Sequence, residues 1–252
     1  MSEEQTYDIE AIGVHKSFGE NHVLRGVDLK VEKGKTFVIV GPSGCGKSVF
    51  LKHMVALLRP DSGTVKVLGK VIHELPPEEL LQLRRRIGMV FQSSALLNSL
   101  TVEQNVALGL VEYEDRKPEE VREIVNEKLK LVEMDGTNDL LPEELSGGMR
   151  KRVAVARTLA VGPGVILFDE PTVGLDPLLS TNVDELILGL KKNVQCTNVV
   201  VTHDLITAFK VADRMGMFHD GHIIAEGPPE EFSRSEEKVV KEFLARNRDW
   251  RI

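Results

Sequence analysis

Five short runs of the chain read as strands: TFVIVG (36–41), TVKVLG (64–69), IGMVFQ (87–92), VILFDE (165–170) and NVVVTH (198–203). Three of them, 36–41, 165–170 and 198–203, are almost continuously apolar. That is the pattern of strands buried on both faces, in a parallel sheet covered by helices. Each of the three is followed by a helical period, over 47–58, 177–192 and 204–213. Strands alternating with helices predict an α/β fold with right-handed crossovers.

The ends and the middle of the chain read differently. IEAIGVHKSFG and LRGVDLKVEKG alternate apolar with polar positions and end in turn residues, which predicts antiparallel strands beside the main sheet. MGMFHDGHIIAEG (215–227) reads as a hairpin around Asp220-Gly221. Between Gln92 and Val165 the pattern is helical: TVEQNVALGLV behind a Thr101 cap, PEEVREIVNEKLKLV with Pro118 in its first turn, and a helix opened by Ser146. The expected organisation is a single domain over 1–252. Residues 1–92 and 165–230 form the α/β core with its antiparallel part, 93–164 form an inserted helical subdomain, and 231–252 form a tail with one amphipathic helix.

Composition narrows the partners. Of 252 residues, 42% are apolar and 28% charged, enough for a core and a solvated surface. The net charge of −7 argues against a nucleic-acid partner, which would demand a basic face. Cys45 and Cys196 are the two cysteines, which fits a reducing compartment and no disulfide framework. The acidic MSEEQTYDIE has no apolar run, so no signal peptide is expected there. No run approaches the ~18 apolar residues that span a bilayer. A membrane role is therefore expected to come through a partner.

GPSGCGKS (41–48) follows one predicted strand and opens one predicted helix, the context of a P-loop. The nucleotide-binding segment is Gly41, Pro42, Ser43, Gly44, Cys45, Gly46, Lys47, Ser48 and Val49. Glycines let its N–H groups face phosphate; Lys47 reaches the terminal phosphates; Ser48 can ligate Mg²⁺. Asp169 ends a buried strand and can hold Mg²⁺. Glu170 follows it and is read as the group that polarises the attacking water. A lone histidine is more often structural, but His203 ends a neighbouring buried strand and is expected at the γ-phosphate. Gln92 is placed at the end of a strand on the same edge, where its amide can orient water or touch Mg²⁺. Cys45, beside Lys47 and a helix N-terminus, is expected to favour the thiolate.

A second glycine pair stands in ELSGGMRKR (144–152), at the start of a helix but without a lysine. Such a cradle holds a nucleotide poorly alone, yet it can complete a site already occupied by one. A two-fold pair of chains, each closing Ser146, Gly147 and Gly148 over its partner's P-loop, is the economical geometry. Arg150, Lys151 and Arg152 are read as a solvated helix face.

This set resembles the ATP-binding subunits of ABC transporters, from residue 8 to about 230. The resemblance rests on the Walker A loop 41–48, Gln92, LSGGM at 145–149, Asp169-Glu170, GLD at 174–176 and His203. It implies ATP and Mg²⁺ as ligands, a homodimer, separate integral membrane permease subunits and a place on the cytoplasmic face of the membrane. It also implies a role in trans for Asp176, and Phe18 in the place of the aromatic that stacks on adenine. Met149 stands where the commonest signature has glutamine. GKSVFLKHMVALLRPDSG, ELSGGMRKRVAVAR and the closing VVKEFLARNRD are most similar to ATPases of bacterial phospholipid transport systems that work with MCE-type lipid-binding proteins (Mla-type), although the closing run lacks a glycine expected there. Rival readings are an importer of amino acids or other small solutes, a soluble ABC ATPase acting on DNA or ribosomes, and a static nucleotide-binding module. Glu170 argues against the last, since a static binder has no use for a hydrolytic base.

Overall fold

A computed structural model describes residues 7–113, 116–194 and 196–247. In chain order the elements are β1 (Tyr7–Phe18), β2 (Asn21–Glu32), β3 (Thr36–Val40), α1 (Lys47–His53), β4 (Ser62–Val67) and β5 (Lys70–Val71). α2 (Pro77–Arg85), β6 (Ile87–Val90), α3 (Val102–Tyr113), α4 (Pro118–Leu131), α5 (Gly147–Ala160) and β7 (Val165–Asp169) follow. The rest is α6 (Pro177–Asn193), β8 (Thr197–Thr202), α7 (Leu205–Val211), β9 (Arg214–His219), β10 (His222–Gly227), α8 (Pro229–Ser233) and α9 (Lys238–Arg246).

The strands form two sheets, a four-stranded one ordered β2-β1-β4-β5 and a six-stranded one ordered β10-β9-β3-β8-β7-β6. The first is antiparallel throughout. In the second, every pair is parallel except the β9–β10 hairpin. The apolar runs behave as their composition dictates. All five residues of β3 and of β7 are buried, and all six of β8. Period-two alternation divides β3 between two cores. Phe37 and Ile39 pack with the antiparallel sheet, α1 and Phe218, while Val38 and Val40 pack with α3, α4, α5 and α6. The helices of 93–164 thus share one continuous apolar core with a face of the sheet.

Several boundaries differ from the sequence reading. The helix after the P-loop stops at His53, not 58, because Ala56 turns into the left-handed region at φ 53°. α7 is likewise shorter than the 204–213 pattern. TVKVLG joins the antiparallel sheet. α2 has no counterpart among the expected elements, although Pro77, the acids Glu78 and Glu79 and the last-turn bases Arg84 and Arg85 are regular helix signals. α2 is short and mostly polar, and only Leu83 of it is buried. Thr101 caps α3 reciprocally: Gln104 N donates to Thr101 Oγ1, and Thr101 N donates to Gln104 Oε1. The last five residues of the expected tail, 248–252, lie outside the described residues.

Candidate functional site

The C-terminal edge of the parallel strands opens into a cavity of about 470 Å³, lined by Phe18, Val23, Ser43, Gly44, Gly46, Lys47, Ser48, Val49, Gln92, Glu170, Val173 and His203. Loops following β3, β6, β7 and β8 converge there because parallel strands all end on the same edge. Glycine is required at two points of the first loop. A Cβ on Gly41 would lie 2.4 Å from the Phe218 carbonyl oxygen, and Gly46 sits at φ 111°. Gly41, Pro42 and Cys45 of the same loop do not line the cavity.

Lys47 is buried, and its Nζ donates to the carbonyls of Gly41 (2.8 Å) and Pro42 (3.0 Å). It lies 3.5 Å from Glu170 Oε1. Glu170 Oε2 is 2.9 Å from His203 Nδ1 and accepts from the His203 backbone N–H at 3.3 Å. Glu170 itself holds φ 49°, an unfavourable region for a glutamate, with its amide donating to Val201 O at 2.8 Å. Ser48 Oγ donates to Asp169 Oδ1 at 2.6 Å, so the hydroxyl and carboxylate expected at one cation do meet. Phe18 is 48% exposed at the cavity rim with Lys16 Nζ 5.7 Å from its ring centroid, which is no core position.

Three expectations are corrected. β6 ends at Val90, so Gln92 is not a strand end but lies on the following loop, still on the cavity wall. Burial pushes the Cys45 thiol up, and this outweighs the lowering by Lys47; its sulfur packs against the core beneath Gly41 rather than facing nucleotide as a thiolate. Arg150, Lys151 and Arg152 are not a solvated face. Lys151 is 4% exposed and donates to the carbonyls of Phe91 (3.2 Å) and Gln92. Burial pulls it down to about 8, against the upward pull of Asp169 and Glu170. Arg150 and Arg152 donate to the carbonyls of Leu145 and Val132. A signal for Lys151 was present: it shares its helical face with Gly148, Val155 and Thr158, all buried.

Ser146, Gly147 and Gly148 stand outside the cavity. Ser146 caps α5, its Oγ accepting from Met149 N at 3.2 Å. Gly147 and Gly148 face Leu175 and Leu179. Asp176 caps α6 by accepting from Leu179 N at 3.0 Å.

A glycine loop with a buried lysine, set at the edge of a parallel sheet beside two consecutive acids, defines a nucleoside-triphosphate hydrolase of the P-loop class. The ABC transporter family model matches residues 24–173, and the chain belongs to that family as an ATP-binding, ATP-hydrolysing subunit. It is 42% identical over 236 residues to the probable ribonucleotide transport ATP-binding protein mkl of Mycobacterium leprae, covering 94% of this chain and 68% of that one. It is 42% identical to the L-cystine import ATP-binding protein TcyC of Bacillus subtilis, covering 93% and 96%. It is 38% identical to the intermembrane phospholipid transport system ATP-binding protein MlaF of Haemophilus influenzae, covering 90% and 86%. Among solved structures, the ATP-binding cassette MJ0796, a dimer in a post-hydrolysis state with ADP and Pi bound, superposes with a TM-score of 0.80 at 34% identity, covering 88% of this chain and 98% of that one.

Proposed function

We propose that this chain powers phospholipid transport: two copies sandwich two ATP molecules at the cytoplasmic face of a membrane and drive separate permease subunits, in a complex that includes MCE-type lipid-binding proteins. The observation that carries the paired arrangement is the position of the second cradle. Ser146, Gly147 and Gly148 crown α5 but do not line the P-loop cavity of their own chain. The Ser146 hydroxyl accepts one bond within the helix and keeps its own hydrogen to donate, as a phosphate oxygen brought by a partner would require. The dimeric MJ0796 cassette supports the same arrangement. Among the described residues no helix is long and apolar enough to cross a membrane, so translocation is assigned to the permease.

The cavity residues fit ATP. Lys47 exchanges the Gly41 and Pro42 carbonyls and Glu170 for phosphate oxygens, a stronger charge-assisted partner. Phe18, exposed at the rim, offers a ring face to adenine. Glu170 accepts a proton from the attacking water, and His203 fixes that carboxylate while reaching toward the γ-phosphate. Ser48, Asp169 and the Gln92 amide fit Mg²⁺, which would neutralise charge on the transferring phosphate. Asp176 of the partner completes the seam.

Phospholipid is favoured as cargo by Met149 in the signature together with the likeness to MlaF. Import of an amino acid is the second reading, favoured by the likeness to TcyC. Extraction of the membrane complex, with mass spectrometry of its proteins and bound lipids, decides between them. Co-purifying MCE-type subunits and phospholipid support the first; a solute-binding protein without lipid sinks it.

A further inference from the structure

The loop from Phe91 to Thr101 joins β6 to α3 with little regular structure, yet three side chains from the helical segment satisfy its backbone. Asn105, fully buried, gives its whole amide to it. Oδ1 accepts from Leu97 N at 2.8 Å, and Nδ2 donates to the carbonyls of Leu97, Leu100 and Thr101 at 3.0–3.1 Å. Arg157 donates to the carbonyls of Ser94 (2.9 Å) and Ala95 (2.7 Å), two residues held at positive φ. Lys151 takes the carbonyls of Phe91 and Gln92. The carbonyls of Phe91, Gln92, Ser94 and Ala95 lie outside any helix or strand, and Lys151 and Arg157 supply donors to them, so with Asn105 these side chains help determine where the loop backbone sits.

Among these three donors, Lys151 alone acts next to the cavity. Gln92 is on the cavity wall, and Lys151 lies five residues, roughly 7.5 Å of helix, beyond the Ser146 cap. We propose that Lys151 is a positioning residue for ATP hydrolysis: it ties the backbone at Gln92 to the helix that begins at Ser146, so that the cavity wall and the second cradle move as one piece. This rests on Gln92 belonging to the hydrolytic site and is independent of the cargo. A buried lysine on a helix gains nothing from solvent. A leucine would fill the same space but leave two carbonyls without donors.

The test compares Lys151→Met, Lys151→Arg and Lys151→Gln in the purified full chain. Three readouts are taken: Mg-ATP affinity by titration, kcat, and amide hydrogen exchange over residues 91–96. Lys151→Met is expected to lose kcat by tenfold or more and to exchange over 91–96 at least tenfold faster, with ATP affinity within twofold. Lys151→Arg keeps donors for both carbonyls and should hold both readouts within threefold of wild type. A folded Met variant with kcat within twofold of wild type overturns the proposal. So does slow turnover with unchanged exchange, or an Arg variant as slow as Met. Should Met prevent folding, Lys151→Gln, with a shorter donor, takes its place. Parallel change of at least threefold in kcat and exchange supports the proposal, and wild-type values of either overturn it. Exchange needs no turnover. Faster exchange with wild-type kcat would therefore leave the clamp in place but refute its catalytic consequence, and with it the placing of Gln92 in the hydrolytic site.

Discussion

Glu170 Oε2 lies 2.9 Å from His203 Nδ1, a contact between the ends of two adjacent parallel strands. It leaves Glu170 well placed to accept a proton and His203 oriented by that same carboxylate. Glu170→Gln should bind Mg-ATP with near wild-type affinity and hydrolyse it very slowly, since the phosphate contacts remain and the base is gone. A variant that keeps more than about a tenth of wild-type kcat places less than ~1.4 kcal/mol of barrier on this carboxylate and removes it from the role.

Ser146→Arg should bind ATP at its own P-loop but block closure onto the partner and abolish turnover. Lys47→Ala should fail earlier, at ATP binding, because nothing else in the cavity wall replaces its ammonium. Mixed in equal amounts, the two make about half of all dimers mixed. Each mixed dimer has one intact composite site, so part of the ATPase activity should return. A Ser146→Arg chain that turns over ATP like the wild type would show that the second cradle does not act across the pair.

Asp184 on α6 tests the electrostatics of the core. Its side chain is 2% exposed, Oδ1 has no hydrogen-bond partner, and Lys210 Nζ stands 3.9 Å from Oδ2. Burial raises its pKa from 3.8 to about 6. The folded state thus disfavours the charged form. The cost is small below the unfolded value of 3.8, grows as pH rises from there to about 6, and is constant above that, on the order of 1–3 kcal/mol. Asp184→Asn should raise Tm by several degrees at pH 8 and by about a third as much at pH 4.5. An equal gain at both pH values would mean that charge is not the cause.

Cys45 should be a slow thiol. Burial raises its pKa above the ordinary thiol value despite the nearby Lys47, and the sulfur packs against the core. Iodoacetamide should label it at least tenfold more slowly than free glutathione, by peptide mass spectrometry. Labelling faster than glutathione would contradict the burial of this sulfur.

Much of this architecture was legible because it is written locally. Every residue of β3 is apolar or a threonine and every residue of β3 is buried; the strand could only be a central one. Gly41 to Ser48 announced a phosphate loop through residue types that few other structures need. Lys151 was misread for a physical reason. In sequence it is the middle of three cations, and three cations in a row usually mean solvent. Its helical face, shared with Val155 and Thr158, was a local sign of burial, but the carbonyls that accept from it lie some sixty positions earlier in the chain, and no local pattern names them. α2 was missed for another reason: its end signals were present, but it is only nine residues long, mostly polar, and buries one leucine. The thiol of Cys45 required the direction of a side chain, which neighbours in sequence do not reveal.

In the ladder between β7 and β8, Asp169 pairs with Val201, and both strands are buried on both sides. Adding or deleting one residue in either strand would exchange its two faces and slide Glu170 past His203 by about 3.3 Å. Such a lineage would lose packing and chemistry in one event, with no intermediate for selection to improve. Substitutions can accumulate in these strands one methyl at a time, whereas changes of length belong to surface turns such as Gly19-Glu20 between β1 and β2. Along β7 and β8 the residue count constrains the chain as a reading frame constrains a coding sequence.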